Sequence, residues 1–375
     1  MRIDLNSMLK DGCSKKFATY FLNLVSHEKQ SGLFDNDYMD WCHSNGFLAE
    51  SATAYNLNES NIADYLSDYD YYKSWPLNDW TRIWINDKLT LKYMLSGAEF
   101  DRFMPRYYYY CSKSGLRRLV DNPYEDNSFE SFFQLLRIEG EFACKPCNGS
   151  GAEGFVKIEY KDNEYFINGK VKTEEEVKIF VNQNPNYLYT EFIYPHVDLS
   201  KIDPKIHTLR VIVLNEDGVS PRIIGGYLRF GHSAQGESNY LHTNESMNIY
   251  CGVDFDKGTF GGTKAAYYNR VEELTAHPDS GQPLSGNLPD FDELKANVIG
   301  IVKRFFGVEF MGFDIGITDN GFKIMEINSH PGLAIPQMFK PYYKDEKIRR
   351  YFQDKLKKVD LLAESEKQQR NNILR

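Results

Sequence analysis

One segment near the carboxyl end, MGFDIGITDNGFKIMEINSHPG, constrains the fold most strongly. Apolar and polar residues alternate on both sides of a turn at 319–321, which predicts two strands joined as a hairpin. If the loop centres on Asn320, Asp314 lies opposite Glu326, and alternation along the strand puts Asn328 on the face of Glu326. A two-residue Asn-Gly turn would shift the register by one residue and remove that pairing.

The paired acids of this hairpin predict a cation. Two like charges that face each other across a ladder destabilise it unless something neutralises them. Mg²⁺ takes oxygen ligands, and when few carboxylates hold it, it keeps waters and accepts substrate phosphates as further ligands. The hairpin therefore predicts a magnesium site formed by Asp314, Glu326 and Asn328. The alternative is an exposed edge hairpin with two solvated acids.

A lysine followed by small residues gives a second signal, in CKPCNGSGAEGFVKIEY. Lys145 ends a predicted strand, and Gly149, Ser150 and Gly151 follow it in the loop. Small residues let backbone N–H groups approach phosphate oxygens, and the lysine adds a point charge. The loop joins two strands, so it is not a P-loop, which would lead into a helix. A plain glycine-rich hairpin loop is the alternative.

Cys144 and Cys147 flank this lysine as a CxxC pair. A zinc site would need a second pair, and a redox motif would need a βαβ context, which is not evident. Their position beside the lysine favours a role as spacers, with a zinc or redox centre as the alternative.

Around the lysine loop the pattern predicts a small α+β lobe of order ββ, α, β. The strands are 142–145, 155–160 and 187–194, and a capping box of Thr173 and Glu176 opens the helix. The last strand ends in Thr190, Glu191, Phe192 and Ile193, where a hinge can read an adenine edge through its backbone. On the next strand, the planar fork of Arg210 suits a phosphate or carboxylate, or equally a structural ion pair.

Bulk properties exclude several classes of protein. At 375 residues, two or three lobes are expected. A net charge of −9 argues against a nucleic-acid partner, because a polyanion needs clustered Lys and Arg. No apolar run approaches the roughly 20 residues that span a bilayer. Six cysteines are too few for a disulfide scaffold and favour a reducing cytoplasm. Residues 1 to about 75 predict short helices without recognisable chemistry.

A helix is also predicted from Phe291 to Phe306. Its apolar residues at helical spacing form one stripe, which consists of Leu294, Val298, Ile301, Val302 and Phe305. Asp290 precedes this helix and is expected to cap it.

The order of these motifs resembles the ATP-grasp superfamily. It is most similar to the sugar-transfer-associated branch, which is related to α-L-glutamate ligases, over about residues 80 to 340. The superfamily motifs, in chain order, are Asp87-Lys88, KPxxGSxxxG from Lys145 to Gly154, Thr190 to Ile193, Arg210, and the hairpin residues Asp314, Glu326, Asn328 and Pro331-Gly332. Four further segments mark the branch: IHTLRVIVL, GGYLRFG, HPDSG and the run from Val308 to Leu333. Thr190 stands where related enzymes often carry Gln or Glu.

The resemblance implies an α/β fold of α+β lobes, with ATP between a small ββαβ lobe and a C-terminal lobe, after a mostly helical N-terminal region. The implied division is 1–75 helical region, 76–135 first part of the ATP-grasp module, 136–200 small lobe, 201–342 Mg-binding lobe and 343–375 charged helix.

The resemblance also implies a site for ATP and Mg²⁺. Lys88 and Lys145 would contact phosphates together with the glycine loop, and Glu191, Phe192 and Ile193 would meet the adenine. Asp198 is the candidate ribose-binding acid, and Asp314, Glu326 and Asn328 would hold the metal. Arg210 and Lys145 would be catalytic. Arg229 and His277 are candidate substrate contacts, with a structural role as the alternative for each.

The implied reaction activates a carboxylate as an acyl phosphate, releases ADP and joins the acyl group to an amine. The small-molecule substrates would be an amino acid and a sugar acid of a surface polysaccharide. A kinase that phosphorylates a hydroxyl and a non-catalytic ATP-binding protein are the alternatives. The sequence names neither the substrates nor the oligomeric state.

Overall fold

A computed structural model describes residues 4–97, 99–148, 154–233 and 246–370. The chain divides into two compact units. The first comprises Met1–Arg82, Thr208–Phe313 and Asn328–Arg375, and the second comprises Ile83–His207 and Asp314–Ile327. The five-part division expected from the sequence stays a prediction.

The described residues form α-helices and β-strands with the following bounds. The helices are α1 Leu5–Lys10, α2 Lys15–Ser31, α3 Asn36–Ser44, α4 Ala49–Tyr55, α5 Asp68–Lys73, α6 Ile83–Asn86, α7 Lys88–Leu95, α8 Phe129–Glu139, α9 Glu174–Gln183, α10 Val197–Ser200, α11 Phe291–Arg304, α12 Ala334–Phe339, α13 Glu346–Asp360 and α14 Glu364–Gln369. The strands are β1 Tyr107–Ser112, β2 Gly115–Arg118, β3 Glu141–Pro146, β4 Val156–Lys161, β5 Glu164–Ile167, β6 Lys170–Lys172, β7 Tyr187–Thr190, β8 Thr208–Leu214, β9 Arg222–Phe230, β10 Asn248–Asp254, β11 Thr259–Ala266, β12 Val271–Glu273, β13 Gly286–Asn287, β14 Phe310–Thr318 and β15 Gly321–Asn328.

The second unit is built on a sheet of order β2-β1-β7-β3-β4-β5-β6, whose pairings are antiparallel. Helix α8 packs on β3 and β4, and Phe132 and Phe142 lie fully buried in the core between them. The predicted capping box is confirmed, because Thr173 accepts from the Glu176 N–H while Glu176 accepts from the Thr173 N–H. The predicted strand 187–194 ends earlier, at Thr190.

The other sheet has the order β12-β11-β10-β9-β8-β14-β15, with β13 beside β11, and its strands β8 to β13 belong to the first unit. The unit boundary crosses the β14–β15 hairpin, so that Asp314–Ile327 belong to the second unit. Helix α11 buries the predicted apolar stripe, which consists of Leu294, Val298, Ile301, Val302 and Phe305. The expectation that Asp290 caps α11 is wrong: its φ of 48° is left-handed, and its side chain accepts no capping hydrogen bond. A capping residue normally has extended backbone, which aims its side chain at the first turn.

The N-terminal helices α1 to α5 belong to the first unit. Gln337 of α12 is buried and bonds both backbone groups of Leu66, accepting from its N–H at 2.9 Å and donating to its carbonyl at 2.9 Å. Helix α4 also packs on α12. The predicted fold class, an α/β protein of α+β lobes with a helical N-terminal region, is confirmed.

Within the described residues, no helix combines the length and apolar character needed to cross a membrane.

Candidate functional site

The hairpin that carries the candidate metal ligands does not turn through a type I′ Asn-Gly pair. A type I′ Asn-Gly turn requires positive φ at both central residues. Asn320 is absent from the described non-glycine residues with positive φ, whereas Gly321 has φ of 95°. The Asn320 N–H donates to Thr318 Oγ1 at 3.3 Å. A type I′ Asn-Gly turn is therefore excluded, and the residues between the two strands are Asp319 and Asn320. The pairing of Asp314 with Glu326 stays a prediction.

An acidic side chain and a lysine meet within the second unit, and a second acid on the same hairpin is buried. Asp314 on β14 is buried, with 7% of its surface exposed. Glu326 on β15 lies beside Lys88, whose Nζ is 3.3 Å from Glu326 Oε2. Helix α7 positions this lysine: Asp87 caps the helix by accepting from Thr90 N at 2.7 Å, so Lys88 is its first residue. The cap thus fixes the position of Lys88 at the start of the helix.

Lys145 joins the same electrostatic group from the end of β3. Burial, and next the positive charge of Lys88, lower the pKa of Lys145 from 10.5 to about 8, while Glu326 opposes the shift. We call Lys88, Lys145 and Glu326 the lysine–glutamate cluster. Two lysines close enough to perturb each other form a place where an anionic ligand is favoured. Gly149, Ser150 and Gly151 lie outside the described residues.

The CxxC pair has no features of a thiolate site. Burial, and next the charge of Asp87, raise the pKa of Cys147 to about 11, and burial raises that of Cys144 well above its usual value. The Cys147 thiol lies 3.6 Å from Asp87 Oδ2. Among the described residues, no three His, Cys, Asp or Glu side chains could together hold a metal ion. Cys147 instead joins the end of β3 to the cap of α7.

The expected adenine hinge is hydrogen-bonded to the residue that precedes β1. The Glu191 N–H donates to the Arg106 carbonyl at 2.8 Å, and the Glu191 carboxylate accepts from the Arg106 N–H at 3.0 Å. Thr190, fully buried, donates to the Ala143 carbonyl at 3.3 Å. Within the described backbone, no carbonyl accepts from the Ile193 N–H. The Ile193 N–H is thus a candidate donor to a ligand, and the Glu191 carbonyl, which accepts from Thr190 Oγ1 at 3.3 Å, is a candidate acceptor.

Lys323 is a residue of this hinge that sequence reasoning missed. Its ammonium lies 3.8 Å from Glu191 Oε2 and donates to the carbonyls of Arg102 and Met104. Burial lowers its pKa. A lysine within an alternating strand was the available signal, but lysine is common on exposed strand faces.

Phe192 and Asp198 make other contacts. The Phe192 ring packs under the ammonium of Lys157, 4.4 Å from the ring centroid. Asp198 is exposed and pairs with Lys201 at 2.7 Å, and this bond lowers the pKa of the Asp198 carboxyl. Neither contact brings these side chains to the lysine–glutamate cluster.

The first unit carries the two candidate arginines on one face of its sheet. Arg210 on β8 pairs in register with Tyr227 on β9, and Arg229 follows two residues later on the same face. The buried hydroxyl of Tyr250 bonds Arg229, while Arg229 Nε is buried without a described partner. The face therefore offers guanidinium groups to an anion. Asn328 ends β15 and belongs to this unit.

His277 is held by its own chain. Its Nε2 lies 2.7 Å from the Gly231 carbonyl, and its Nδ1 accepts from the N–H groups of Asp279 and Ser280 at 3.3 and 3.5 Å. These contacts match a neutral ring with the proton on Nε2. With both nitrogens used, His277 fits the structural alternative better than a substrate contact.

Comparison with known proteins identifies one family. The family model described as sugar-transfer associated ATP-grasp matches residues 78–343. No curated protein matches the chain.

Solved structures that resemble the chain are distant ligases. The ATP-grasp ligase PsnB, complexed with a phosphomimetic variant of minimal precursor, Mg and ADP, is 15% identical with a TM-score of 0.38, over 74% of this chain and 60% of that one. D-alanyl-alanine synthetase A from Vibrio cholerae O1 biovar eltor is 14% identical with a TM-score of 0.41, over 74% of this chain and 66% of that one. The D-alanine-D-alanine ligase from Coxiella burnetii is 14% identical with a TM-score of 0.37, over 78% and 60%. The chain thus spans less than two thirds of each structure.

Proposed function

Because the chain belongs to the sugar-transfer associated ATP-grasp family, we propose that it is an ATP-dependent ligase that joins a carboxylate to an amine. The observation that carries this proposal is the lysine–glutamate cluster of the second unit. It places two lysines and one acid where burial has removed much of their water. A second lysine in such a place is costly, and a polyphosphate removes the cost.

The three metal ligands expected from the sequence are of the kind that magnesium takes. Asp314, Glu326 and Asn328 supply two carboxylates and one amide oxygen, which are hard ligands of the kind Mg²⁺ takes. A site with few protein ligands suits a metal that also binds substrate phosphates. When bound, MgATP supplies the phosphoryl group and the charge that stabilises its transfer. The chain's own cations, Lys88 and Lys145, would hold the phosphates.

The hinge would hold the adenine through its backbone. The Ile193 N–H and the Glu191 carbonyl form a donor and an acceptor two residues apart, which is the pattern that an adenine edge can meet. Contacts of the Glu191 carboxylate with Arg106 and Lys323 hold this residue of the hinge in place. Phe192 would contribute packing. Asp198 remains the candidate for the ribose, although its bond to Lys201 would have to open.

The reaction would proceed in two balanced steps. A substrate carboxylate oxygen attacks the γ-phosphorus, the bond to the β-phosphate oxygen breaks, and ADP leaves. The amine nitrogen then attacks the acyl carbon, phosphate leaves, and the amine proton passes to solvent. Arg210 would steady the transferred phosphoryl group, and Arg229, with its buried Nε, would bind a substrate carboxylate.

We propose an amino acid and a sugar acid of a surface polysaccharide as the small-molecule substrates, in line with the association of the family with sugar transfer. The cysteines of the described residues are free and buried, which supports a reducing compartment such as the cytoplasm.

A screen of ADP release with paired sugar acids and amino acids, read by mass spectrometry, tests this function. We expect one pair to release ADP and yield an amide. Lys145→Ala and Glu326→Ala should each lower turnover by at least about 10²-fold, because each removes a charge that acts on the transferred phosphoryl group. The matched control Lys170→Ala changes an exposed lysine of the same unit and should keep full activity.

Two outcomes would contradict the proposal. Full activity in Lys145→Ala or Glu326→Ala would show that the site is assigned wrongly. A phosphorylated product that accumulates without an amide would replace the ligase with a kinase.

A further inference from the structure

Strands β3 and β4 of the second unit carry a group of charged side chains beside the expected adenine hinge. Glu141 on β3 and Glu159 on β4 are directly opposite partners in the ladder, so their side chains share one face of the sheet. Two like charges in this arrangement destabilise a ladder unless a cation lies near them. Lys157, two residues before Glu159 on β4, stands on the same face and supplies that cation. We call Glu141, Lys157 and Glu159 the charged triad.

The ammonium group of Lys157 is held by both acids of the triad. Its Nζ lies 2.6 Å from Glu141 Oε2 and 2.8 Å from Glu159 Oε1. Burial lowers the pKa of Lys157, but the hydrogen bonds to the two carboxylates outweigh burial and raise the pKa above its ordinary value. Lys157 is therefore charged throughout the physiological pH range, and two short contacts fix the position of its ammonium group.

The same ammonium group lies against the aromatic ring of the hinge. Lys157 Nζ is 4.4 Å from the centroid of the Phe192 ring, well within the range of a cation–π contact. The Tyr194 ring packs on Phe192 at a tilt, with 5.1 Å between the centroids. The Tyr194 hydroxyl in turn bonds Glu141. The ring of Phe192 is thus held in place through the charged triad.

We propose that Lys157 is a positioning residue for the nucleotide base, because it fixes the Phe192 ring on which the adenine packs. This inference rests on the proposed function, in which the backbone of Glu191 and Ile193 meets the adenine edge. Phe192 lies between these two residues, so a base that meets both of them also reaches the Phe192 ring. A ring that is already fixed loses less rotamer freedom when the base packs on it, and the base binds more tightly for that reason.

The charged triad acts on the base and not on the phosphates. It consists of one cation and two anions, so it offers no net attraction to a polyphosphate. The lysines expected to bind phosphate, Lys88 and Lys145, belong to the lysine–glutamate cluster. Loss of Lys157 should therefore weaken the binding of a ligand that contains a base and spare the binding of a bare polyphosphate. A lysine that only stabilised the unit would affect both ligands, because both need the same folded unit.

Calorimetric titration with ADP and with inorganic tripolyphosphate, each in the presence of Mg²⁺, tests the positioning role. We expect Lys157→Met to weaken ADP binding about fivefold and to change tripolyphosphate binding less than about twofold. Lys157→Arg keeps a cation beside the ring and should stay within about twofold of the wild type for both ligands. The matched control Lys170→Met changes an exposed lysine of the same unit and should leave both affinities unchanged. Thermal unfolding verifies that each variant is folded.

A double-mutant cycle tests whether Lys157 acts through Phe192. Phe192→Ala removes the ring and should weaken ADP binding by itself. When Phe192 is already alanine, Lys157→Met should cause no further loss of ADP affinity, because no ring is left to hold. Additive losses would show that Lys157 affects the nucleotide by another route, and they would overturn the positioning role.

The possible failures separate this inference from the proposed function. If Lys157→Met binds ADP as tightly as the wild type while Phe192→Ala binds it weakly, the adenine hinge stands and the positioning role is wrong. If Lys157→Met weakens tripolyphosphate binding as much as ADP binding, the lysine acts on the phosphates or on the fold, and the positioning role is again wrong. If the wild type binds neither ligand, the proposed function fails and the inference fails with it.

Discussion

Replacing Lys145 with methionine should stabilise the fold while it removes nucleotide binding. The fold lowers the pKa of Lys145 from 10.5 to about 8, first by burial and next by the charge of Lys88. A lysine whose pKa is lower in the folded than in the unfolded chain destabilises the folded state at every pH where the unfolded chain binds the extra proton. The difference is about 2.5 pKa units, and at about 1.36 kcal/mol per unit it corresponds to about 3 kcal/mol. Methionine has a similar length and no charge, so Lys145→Met should recover up to that amount at pH 7.

The dependence on pH identifies the cause. Below the folded pKa of about 8, Lys145 is charged in both states and its full cost is present. Between pH 8 and 10.5 the folded chain releases the proton first, so the wild type gains stability relative to the variant as the pH rises. Urea unfolding should therefore show an advantage of about 3 kcal/mol for Lys145→Met at pH 7, and of about 1 kcal/mol at pH 10.

Two measurements accompany the unfolding curves. Lys145→Arg keeps its charge at every accessible pH, so it should show no gain at pH 7. Calorimetric titration with ADP should detect binding to the wild type and none to Lys145→Met. If Lys145→Met is equal to or less stable than the wild type at pH 7, Lys145 is not held at a cost and our reading of the cluster is refuted.

Two further substitutions test hydrogen bonds that stabilise the first unit. Asp345→Asn keeps the cap of α13 but removes the negative charge that two Arg222 nitrogens contact at 2.9 and 3.0 Å. The bond to Arg222 lowers the pKa of Asp345 to about 2. The free energy of unfolding of the variant should therefore be about 2 kcal/mol lower at pH 7. The loss should shrink as the pH falls from about 4 to about 2, where the wild-type carboxylate takes up its proton, and a pH-independent loss in urea unfolding would contradict this. Gln337→Leu leaves the N–H and carbonyl of Leu66 without their partner and should cost about 2–4 kcal/mol in the same assay while ADP affinity stays unchanged; a neutral substitution would contradict the role of Gln337.

The parts of the fold that could be predicted depend on short-range signals. The capping box of Thr173 and Glu176 and the stripe along α11 need only residues within a few positions of one another. The prediction that Asp290 caps α11 used the same kind of rule and was wrong. A capping side chain normally needs an extended backbone, and the backbone of Asp290 is left-handed. The strand predicted to reach position 194 stops at Thr190, since beyond it the Glu191 N–H bonds the chain segment before β1.

The candidate site was predictable in its residue types but not in its arrangement. Alternation and the turn near Asn320 suggested which acids share a hairpin, and β14 and β15 do carry Asp314 and Glu326. Nothing in the sequence places Lys88 against Glu326, because that contact joins the start of a helix to a strand far along the chain. The same limit applies to Lys323, whose partners all lie in remote segments.

The N-terminal helices show why burial of a polar residue is hard to read from sequence. Glu28 resembles any surface glutamate of an amphipathic helix, yet it is only 2% exposed. Its carboxylate accepts from the N–H groups of Ala49 and Glu50 and lies 2.7 Å from His43 Nε2, so three donors replace the water it has lost. Each donor comes from a different position beyond α2, and only the folded chain brings them together.

The N-terminal helices lie before residue 78, where the family match begins, but they share a unit with the sheet that carries Arg210. Gln337 of α12, the helix that follows the hairpin, bonds the backbone of Leu66. The region without a motif is therefore part of the same folding unit as the candidate substrate arginines, and its removal should unfold that unit.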